Sequence, residues 1–309
     1  MPTTHTDSPH LSASAAVVVG IDGSDGADLA VRWAAETAAR RGRRLLITYG
    51  LNLAAAQAVF GGYDLMVPAV AETLREEGAT RLKAAARLAH RVAPDVHVDT
   101  ELSPARPAPL LIERSKSAHL LALGAGQGGQ LARIGSTLLA VTAHGHGNVV
   151  VVRDTATEEL VRHRGPVVVG IDGSRACEPA IAAAFTEASI HNSTLVAVHA
   201  ASDMSVHPRA GLTGLLPARE LETAAQQVLA EQLAGWQEKF PDVHVTREVA
   251  AAAPRNLLTT WSKSAQLLVV GSRGRGGFLG LLLGSTSNFL VQHARCPVMV
   301  AHDAQKESK

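Results

Sequence analysis

The sequence contains an internal repeat, and this repeat constrains the fold more than any other feature. Residues 17–24 read Val-Val-Val-Gly-Ile-Asp-Gly-Ser, and residues 167–174 repeat all eight at an offset of 150. Further segments match in the same order: 44–50 with 194–200, 94–98 with 241–245, and 115–124 with 262–271. Eight identical residues in register are beyond chance, so the chain is predicted to contain two copies of one structural unit.

Each copy alternates short β-branched runs with longer helical patterns. In the second copy, the segment between strands two and three carries an apolar stripe at helical spacing: Leu221, Ala225, Val228, Leu229, Leu233 and Trp236. The strands are continuous apolar runs, as expected when helices cover both faces of a sheet. Five strands separated by four helices predict an α/β fold, a doubly wound, Rossmann-like parallel sheet in each copy.

Length and composition set the domain plan. A chain of 309 residues suits two domains of about 150 residues each. Residues 1–14 form a polar tail without the features of a signal peptide, and residues 154–164 are polar, charged and without apolar period. We therefore expect a first domain at 15–153, a linker at 154–164 and a second domain at 165–309.

Charge and cysteine content exclude several classes of partner. A net charge of +1 gives no electrostatic argument for nucleic acid or for a membrane surface. Cys177 and Cys296 are the only cysteines and lack CxxC spacing, so we expect neither a disulfide nor a zinc site, but two inert packing residues. No uncharged apolar run approaches the ~18 residues of a membrane helix. These features predict a cytoplasmic protein.

A glycine-rich run in the second copy carries the clearest chemical signal. It has the spacing G-x2-G-x9-G-S, with Gly271, Gly274, Gly284 and Ser285 at the fixed points. The run follows a strand-like segment and opens a helix, so backbone N–H groups and a helix N-terminus are both exposed to an anion. In open parallel sheets, ligands bind at the carboxyl ends of the strands, where Asp172 also lies. The sequence therefore predicts a nucleotide phosphate site there.

With these motifs and the closing segment 293–300, the chain resembles tandem ATP-binding universal stress proteins from about residue 16 to 301. The resemblance implies an adenine-nucleotide alpha hydrolase-like fold and a regulatory or sensing role in which ATP, with or without Mg2+, is bound rather than efficiently turned over. It implies that the strand-one aspartate and the end of strand two line an adenosine pocket, while the glycine loop holds ribose and phosphates. The residues implied in the second copy are Gly170, Asp172, Val198, Asp203, Gly271, Ser272, Arg273, Gly274, Arg275, Gly276, Gly277, Gly284, Ser285, Thr286 and Ser287.

The first copy departs from this pattern. Its loop from Gly124 to Gly135 spans 11 positions, against 13 from Gly271 to Gly284. Gln127 stands where the second copy has Gly274, and Leu53 stands where it has Asp203. The first-copy candidates that remain are Gly20, Asp22, Gly124, Gly135 and Ser136. We predict that the second copy holds nucleotide more tightly.

Two other functional classes stay open. One is a slow ATP-hydrolysing or adenylate-forming enzyme, although no catalytic residue and no metal-ligand cluster is visible in the sequence. The other is an interaction scaffold without nucleotide, which the altered first copy favours. A dinucleotide fingerprint at 124–129 is weak, because it follows the fourth strand and its repeat partner lacks it. The Walker A pattern is absent.

Two structural expectations complete the interpretation. Ser24 and Ser174 are predicted to cap the helices after strand one, which would leave Asp22 and Asp172 for a ligand. The last strands of both copies, 149–152 and 298–300, are apolar and would end their sheets as unprotected edges. We expect them to pair antiparallel, within the chain or between chains, and expect a homo-oligomer.

Overall fold

The fold was derived from a computed structural model, which describes residues 10, 12, 14–53, 67–125, 135–154, 161–201, 218–275 and 283–303. The chain divides into two compact units, the first ending at Arg153 and the second comprising Asp154–Asp303. In each unit parallel strands alternate with helices, which confirms the predicted α/β class.

The first unit contains a five-stranded parallel sheet. In chain order its elements are β1 (Val17–Gly20), α1 (Asp25–Arg40), β2 (Leu45–Gly50), α2 (Val67–Val92), β3 (Val98–Ser103), α3 (Pro107–Ser115), β4 (Leu120–Gly124), α4 (Ser136–His144) and β5 (Asn148–Val152). The strand order is β3-β2-β1-β4-β5, with every adjacent pair parallel.

The second unit repeats this architecture. Its elements are β6 (Val167–Gly170), a 3-10 turn (Arg175–Cys177), α5 (Glu178–Ile190), β7 (Leu195–Ala200), α6 (Ala218–Leu233), α7 (Trp236–Lys239), β8 (Val245–Ala250), α8 (Pro254–Trp261), β9 (Leu267–Gly271), α9 (Ser285–His293) and β10 (Val298–Ala301). The strand order is β8-β7-β6-β9-β10, again parallel throughout.

The centre of each sheet is fully covered. Val167, Val168 and Val169 of β6 are 0% exposed, and the outer strand β8 is only partly covered. Strand order reverses between β1 and β4 in the first unit and between β6 and β9 in the second, so each unit opens a crevice at those carboxyl ends. Within the described part of the chain, no helix is both long and apolar enough to cross a membrane.

The two units start their first helices differently. Ser24 caps α1, because its hydroxyl oxygen accepts a hydrogen bond from Ala27 N at 3.2 Å. Ser174 does not cap α5, so that prediction is wrong. The chain passes through the 3-10 turn first, and α5 begins only at Glu178 with Pro179 in its first turn, where a residue without N–H is tolerated.

Candidate functional site

Asp172 connects two loops at the carboxyl ends of β6 and β9. Its Oδ1 accepts hydrogen bonds from Ser174 N at 2.8 Å and from the thiol of Cys177 at 3.0 Å. Its Oδ2 accepts a hydrogen bond from Arg275 N, in the glycine loop, at 2.8 Å. The expectation that Asp172 is left free for a ligand is therefore wrong. A carboxylate has about four lone-pair sites, however, so one on Oδ2 remains for a further donor.

The surroundings of Asp172 favour its ionised form. Burial raises the pKa of Asp172, but the hydrogen bonds from Cys177, Ser174 and Arg275 outweigh burial and lower it below its usual value. Burial and then the charge of Asp172 raise the pKa of Cys177 to about 12, so the thiol stays protonated and can donate. Cys177 thus has a polar contact beyond the inert packing expected of it. Sequence spacing could not reveal this contact, because it forms only through the 3-10 turn.

Several glycines of the site are explained by the packing of the protein itself. A Cβ on Gly274 would lie 2.5 Å from Asp172 Oδ2. The hydrogen bond from Arg275 N to Asp172, called the Asp172 clasp below, therefore requires glycine at position 274. A Cβ on Gly271 would lie 3.0 Å from the carbonyl oxygen of Ala176. A Cβ on Gly170 would lie 2.8 Å from Cδ1 of Leu258. These positions bring backbone or side chains together whether or not a ligand is bound.

Gly284 has no comparable packing reason. It precedes α9 with φ −62°, which any residue adopts, and no side chain caps the helix. The nearest atom to a Cβ there would be Ser272 O at 3.5 Å, an ordinary contact. Among the described residues, the N–H groups of the first turn of α9 therefore have no side-chain oxygen as a cap. Such a helix start suits a phosphate or carboxylate group.

Some of the other predicted residues are buried and hydrogen-bonded within the protein, and others are accessible. Ser287 is 5% exposed and donates its hydroxyl to Gly271 O at 2.6 Å, which ties α9 to β9. Ser272 donates its N–H to Ala301 O at 2.9 Å. Val198 is 2% exposed, and its carbonyl oxygen accepts from Ile171 N at 2.9 Å. Ser285 is exposed, whereas Arg273 and Thr286 are half-buried, so these three remain accessible.

An arginine lies over the loop after the first strand in both units, but it comes from different elements. In the second unit, Arg275 places its guanidinium over Gly173, beside Val228 of α6. In the first unit, Arg81 of α2 lies over Gly23 and donates to Asp22 O at 2.6 Å. Each crevice therefore has a cation at its mouth. Sequence analysis missed Arg81, since nothing in its helical pattern sets it apart.

The side chain next to this loop also differs between the units. Arg81 contacts Tyr49, whose hydroxyl oxygen lies 3.2 Å from Arg81 Nη1. The repeat places His199 at the corresponding position of β7. Its Nδ1 lies 2.6 Å from Ile171 O and, within the described residues, its buried Nε2 has no hydrogen-bond partner. The side chain next to this loop is thus the phenol of Tyr49 in the first unit and the imidazole of His199 in the second.

The first-unit candidates keep part of the arrangement. Asp22 Oδ1 accepts from Ser24 N at 2.9 Å, and Ala27 stands where the second unit has Cys177. A Cβ on Gly124 would overlap the carbonyl group of Gly26, so β4 and α1 need this close approach. Gly20 is likewise enclosed by the side chains of α3 and β4.

The start of α4 repeats the open geometry of α9. Gly135 precedes Ser136, no side chain caps the helix, and the described residues leave 4 Å clear around a Cβ on Gly135. Asp203, Gly276 and Gly277 lie outside the described residues. In the part of the chain that the structure describes, no group of three His, Cys, Asp or Glu side chains is placed to hold a metal ion.

The sequence and fold match known proteins over nearly the whole chain. Residues 15–153 and 163–302 each match the model of the Universal stress protein family. The chain is 38% identical over 300 residues to universal stress protein Rv2623 of Mycobacterium tuberculosis, covering 95% of this chain and 98% of that relative. It is 40% identical over 295 residues to Rv2005c of the same bacterium, covering 93% and 97%. A universal stress protein from Archaeoglobus fulgidus has a similar crystal structure, with a TM-score of 0.60 at 17% identity over 94% of this chain and 98% of that one.

Proposed function

Because this chain belongs to the universal stress protein family, we propose that it binds ATP and acts as a regulatory or sensing protein of the stress response. Binding and not turnover is the proposed activity. The groups that converge on the crevice are backbone N–H groups, an ionised carboxylate and arginines, which bind and orient a nucleotide.

The observation that carries this proposal is the start of α9. Gly284 has ordinary dihedral angles and room for a Cβ, so glycine is not required by the fold at that position. A glycine without a packing role, in front of an uncapped helix, allows the backbone to approach a ligand closely. Backbone N–H groups and the positive end of the helix dipole both favour a phosphate there.

The remaining groups fit the rest of a nucleotide. Asp172 is ionised and can accept one further hydrogen bond, from a ribose hydroxyl or from an amino group of the base. It would repel the phosphates, so they are proposed to lie toward Gly284 and Arg275 and away from Asp172. Mg2+, if it accompanies ATP, would be held mainly by the phosphate oxygens.

The test uses a substitution that the fold tolerates. Gly284→Ala adds one methyl group at ordinary van der Waals distance from its described neighbours, so its melting temperature should equal that of the wild type, while its affinity for ATP in calorimetry should fall at least about tenfold. Gly271→Ala is the matched control, because it disturbs packing against Ala176 and should lower the melting temperature. Equal ATP affinity of Gly284→Ala and the wild type would contradict the proposal.

Mass spectrometry of the ligand released from denatured protein separates the other two classes. ATP near one per chain supports a binding protein. ADP or AMP that accumulates with turnover would favour the slow enzyme, and empty protein would favour the scaffold. Cytoplasmic location and self-association through the last strands remain parts of the proposal that rest on the sequence.

A further inference from the structure

The N-terminal segment, meaning the described residues between 10 and 15, is attached to the amino ends of the first-unit strands by hydrogen bonds. Nδ1 of His10 donates to Ala118 O at 2.7 Å. Nη1 of Arg43 donates to Ser12 O at 2.7 Å and to Ala15 O at 2.9 Å. This attachment lies at the opposite end of the strands from the candidate nucleotide site, so it is independent of the proposed binding of ATP.

His119, directly before β4, links this segment to the loop after α1. Its Nδ1 lies 3.0 Å from His10 O, and on the other side of the ring its Nε2 lies 2.7 Å from Nη1 of Arg41. The N–H of His119 donates to Ala16 O at 2.8 Å, so the backbone that carries the ring is fixed. The imidazole therefore lies between a carbonyl oxygen and a cation.

These two contacts determine the protonation state of the ring. A guanidinium has N–H donors and no acceptor, and it keeps its charge in proteins, so Nε2 of His119 must accept the hydrogen bond from Arg41. The ring proton then lies on Nδ1, where it donates to His10 O. A protonated ring would carry N–H groups at both nitrogens and would place two cations in direct contact. Only neutral His119 fits both contacts.

The positive charges nearby add to this restriction. Burial, and then the charge of Arg41, lower the pKa of Arg43, so two guanidinium groups already influence each other at this end of the unit. A proton on His119 would add a third positive charge beside them. The other charged or titratable side chains of the adjoining segments have these surroundings: Arg44 and His97 pair with Asp99, Lys116 pairs with Glu113, His146 lies near Glu113, and Arg40 is exposed at the end of α1.

The second unit has no titratable group at the position of His119. The repeat places Gln266 there, and its Nε2 donates to Gly165 O at 2.6 Å. This end of the second unit is an open groove, whose half-buried His191 lies 3.6 Å from the carboxylate of Glu187. That carboxylate favours a protonated imidazole, whereas Arg41 opposes one in the first unit. Acid should therefore affect the two units differently at this end.

We propose that His119 is a pH-sensitive switch that holds the N-terminal segment on the first unit when neutral and releases it when protonated, below about pH 6.5. Protonation of Nε2 removes the acceptor of the bond from Arg41, and repulsion between the two cations turns the ring away. Rotation of the ring also breaks its bond to His10 O. The released segment uncovers Ala15 and Ala16, which are each 5% exposed while it is attached.

Hydrogen exchange of the full-length protein tests the switch. The N–H of Ala15 donates to Ser12 O at 3.0 Å and reports on the attached segment. If only the released state takes up the proton near pH 6.5, the protection factor of this amide should fall about tenfold between roughly pH 7.5 and 5.5, after correction for the intrinsic exchange rate. An unchanged protection factor would overturn the proposal.

Two other amides serve as internal controls. Val18 lies in β1, and its protection should fall much less than that of Ala15, because the sheet stays folded when the segment is released. The N–H of Gln266 donates to Pro166 O at 3.1 Å in the second unit and should keep its protection. An equal loss at Val18 and Ala15 would indicate unfolding of the whole unit and would also overturn the proposal.

Two variants assign the effect to His119. His119→Gln supplies the amide that the second unit has, and should reduce the pH-dependent loss at Ala15 to less than about twofold. Arg41→Met removes the opposing cation, so the ring can take up a proton without repulsion, and should reduce the loss similarly even if His119→Gln fails to fold. His90→Gln is the matched control, since His90 is an exposed histidine of α2, and it should keep the tenfold loss of the wild type. A wild-type loss in both His119→Gln and Arg41→Met, or its disappearance in His90→Gln, would contradict the assignment.

Discussion

Asp172 holds two loops of the second unit together, and it is also proposed to accept a hydrogen bond from a ligand. Its carboxylate accepts three hydrogen bonds, one from a thiol and two from backbone N–H groups, and thereby joins the loops after β6 and β9. Asp22 in the first unit accepts only from Ser24 N among the described residues. The same residue type at the same repeat position therefore holds two loops together in one unit and a single turn in the other.

Asp172→Asn should lower both stability and ATP affinity. The substitution removes the charge and replaces one acceptor oxygen by an NH2 group, so either the bond from Arg275 N or the bonds from Ser174 N and Cys177 lose their acceptor. Loss of a hydrogen bond to a charged group costs about 1.5–3 kcal/mol, which corresponds to a loss of ATP affinity of roughly 10- to 150-fold if the ligand bond is affected equally. Calorimetry with ATP and denaturant unfolding check the two effects separately. Normal ATP binding with reduced stability would show that Asp172 is purely structural.

The pH dependence of stability should change with the same variant. The pKa of Asp172 is lowered in the folded protein, so the unfolded chain binds the proton more readily. The stabilisation is therefore fully present above the ordinary carboxyl pKa of about 4 and is lost as pH falls through the lowered value. Between roughly pH 5 and 3, the wild type should lose more free energy of unfolding than Asp172→Asn does. Parallel stability curves would contradict a lowered pKa.

Cys177 is predicted to act as a hydrogen-bond donor that positions Asp172. Cys177→Ser keeps a donor and should retain most of the ATP affinity. Cys177→Ala removes the donor and should lower the ATP affinity. The loss should be only a few-fold, because a thiol is a weak hydrogen-bond donor. The buried thiol, with a pKa raised to about 12, should also react slowly with thiol reagents at neutral pH. Equal ATP affinities of the two variants would indicate that the thiol only fills space.

Among the elements, the glycine loop and the helix after it differ in how they are packed. The start of the loop is packed against the protein, through Gly271 on Ala176 and Gly274 on Asp172. The start of α9 is open at Gly284 and has no side-chain cap. The protein itself therefore holds the loop in place, and the helix start is the part proposed to face a ligand.

Gly274→Ala should damage the site more broadly than Gly284→Ala. A Cβ at Gly274 would lie 2.5 Å from Asp172 Oδ2, so the bond from Arg275 N must lengthen or break. We expect a destabilisation on the order of 1–3 kcal/mol together with a large loss of ATP affinity. Thermal unfolding and ATP titration of the two variants, measured side by side, check this difference. A Gly274→Ala protein with wild-type stability would show that the loop has an alternative conformation.

In the molecule as a whole, the two units share a fold but have different side chains at both ends of their sheets. The cation at the crevice mouth comes from α2 in the first unit and from the loop after β9 in the second. At the amino ends of the strands, the first unit is filled by Arg41 and Arg43, and the second has a groove. The two units thus share a framework and differ in these side chains.

The second unit should bind ATP more tightly than the first. It has the longer glycine loop and the Asp172 clasp, whereas the first has a loop two residues shorter, Gln127 in place of Gly274, and Ala27 in place of Cys177. Calorimetry should show one tight site and at most one weaker one. Asp172→Ala should remove the tight site, and Asp22→Ala should leave it intact. Equal losses from both variants would contradict the asymmetry.

Self-association through the last strands is a prediction from their apolar sequences. Sedimentation velocity over a range of concentrations should reveal a species larger than the monomer if the strands pair between chains. A monomer at all concentrations would exclude pairing between chains and leave pairing within the chain as the remaining form of this prediction.

The fold was predictable because its determinants are local and repeated. Hydrophobic period depends on neighbours along the chain, so it can be seen in the sequence. The strands, the helices and their order were predicted from the apolar runs, the glycine spacing and the identical segments 17–24 and 167–174. The predicted position of the site rests on the same order, because parallel strands bring their carboxyl ends to one edge. The predicted Ser24 cap was correct for the same local reason.

Contacts between distant residues were settled only by the tertiary structure. The bond from Arg275 N to Asp172 joins residues 103 positions apart, and the contact of Arg81 with Asp22 joins residues 59 apart. Which side chain meets which depends on how helices and loops pack over the sheet, and no sequence period encodes that. The groove at Ser193 and Gln266 arises in the same way, from the volume left when two arginines of the first unit have shorter counterparts in the second.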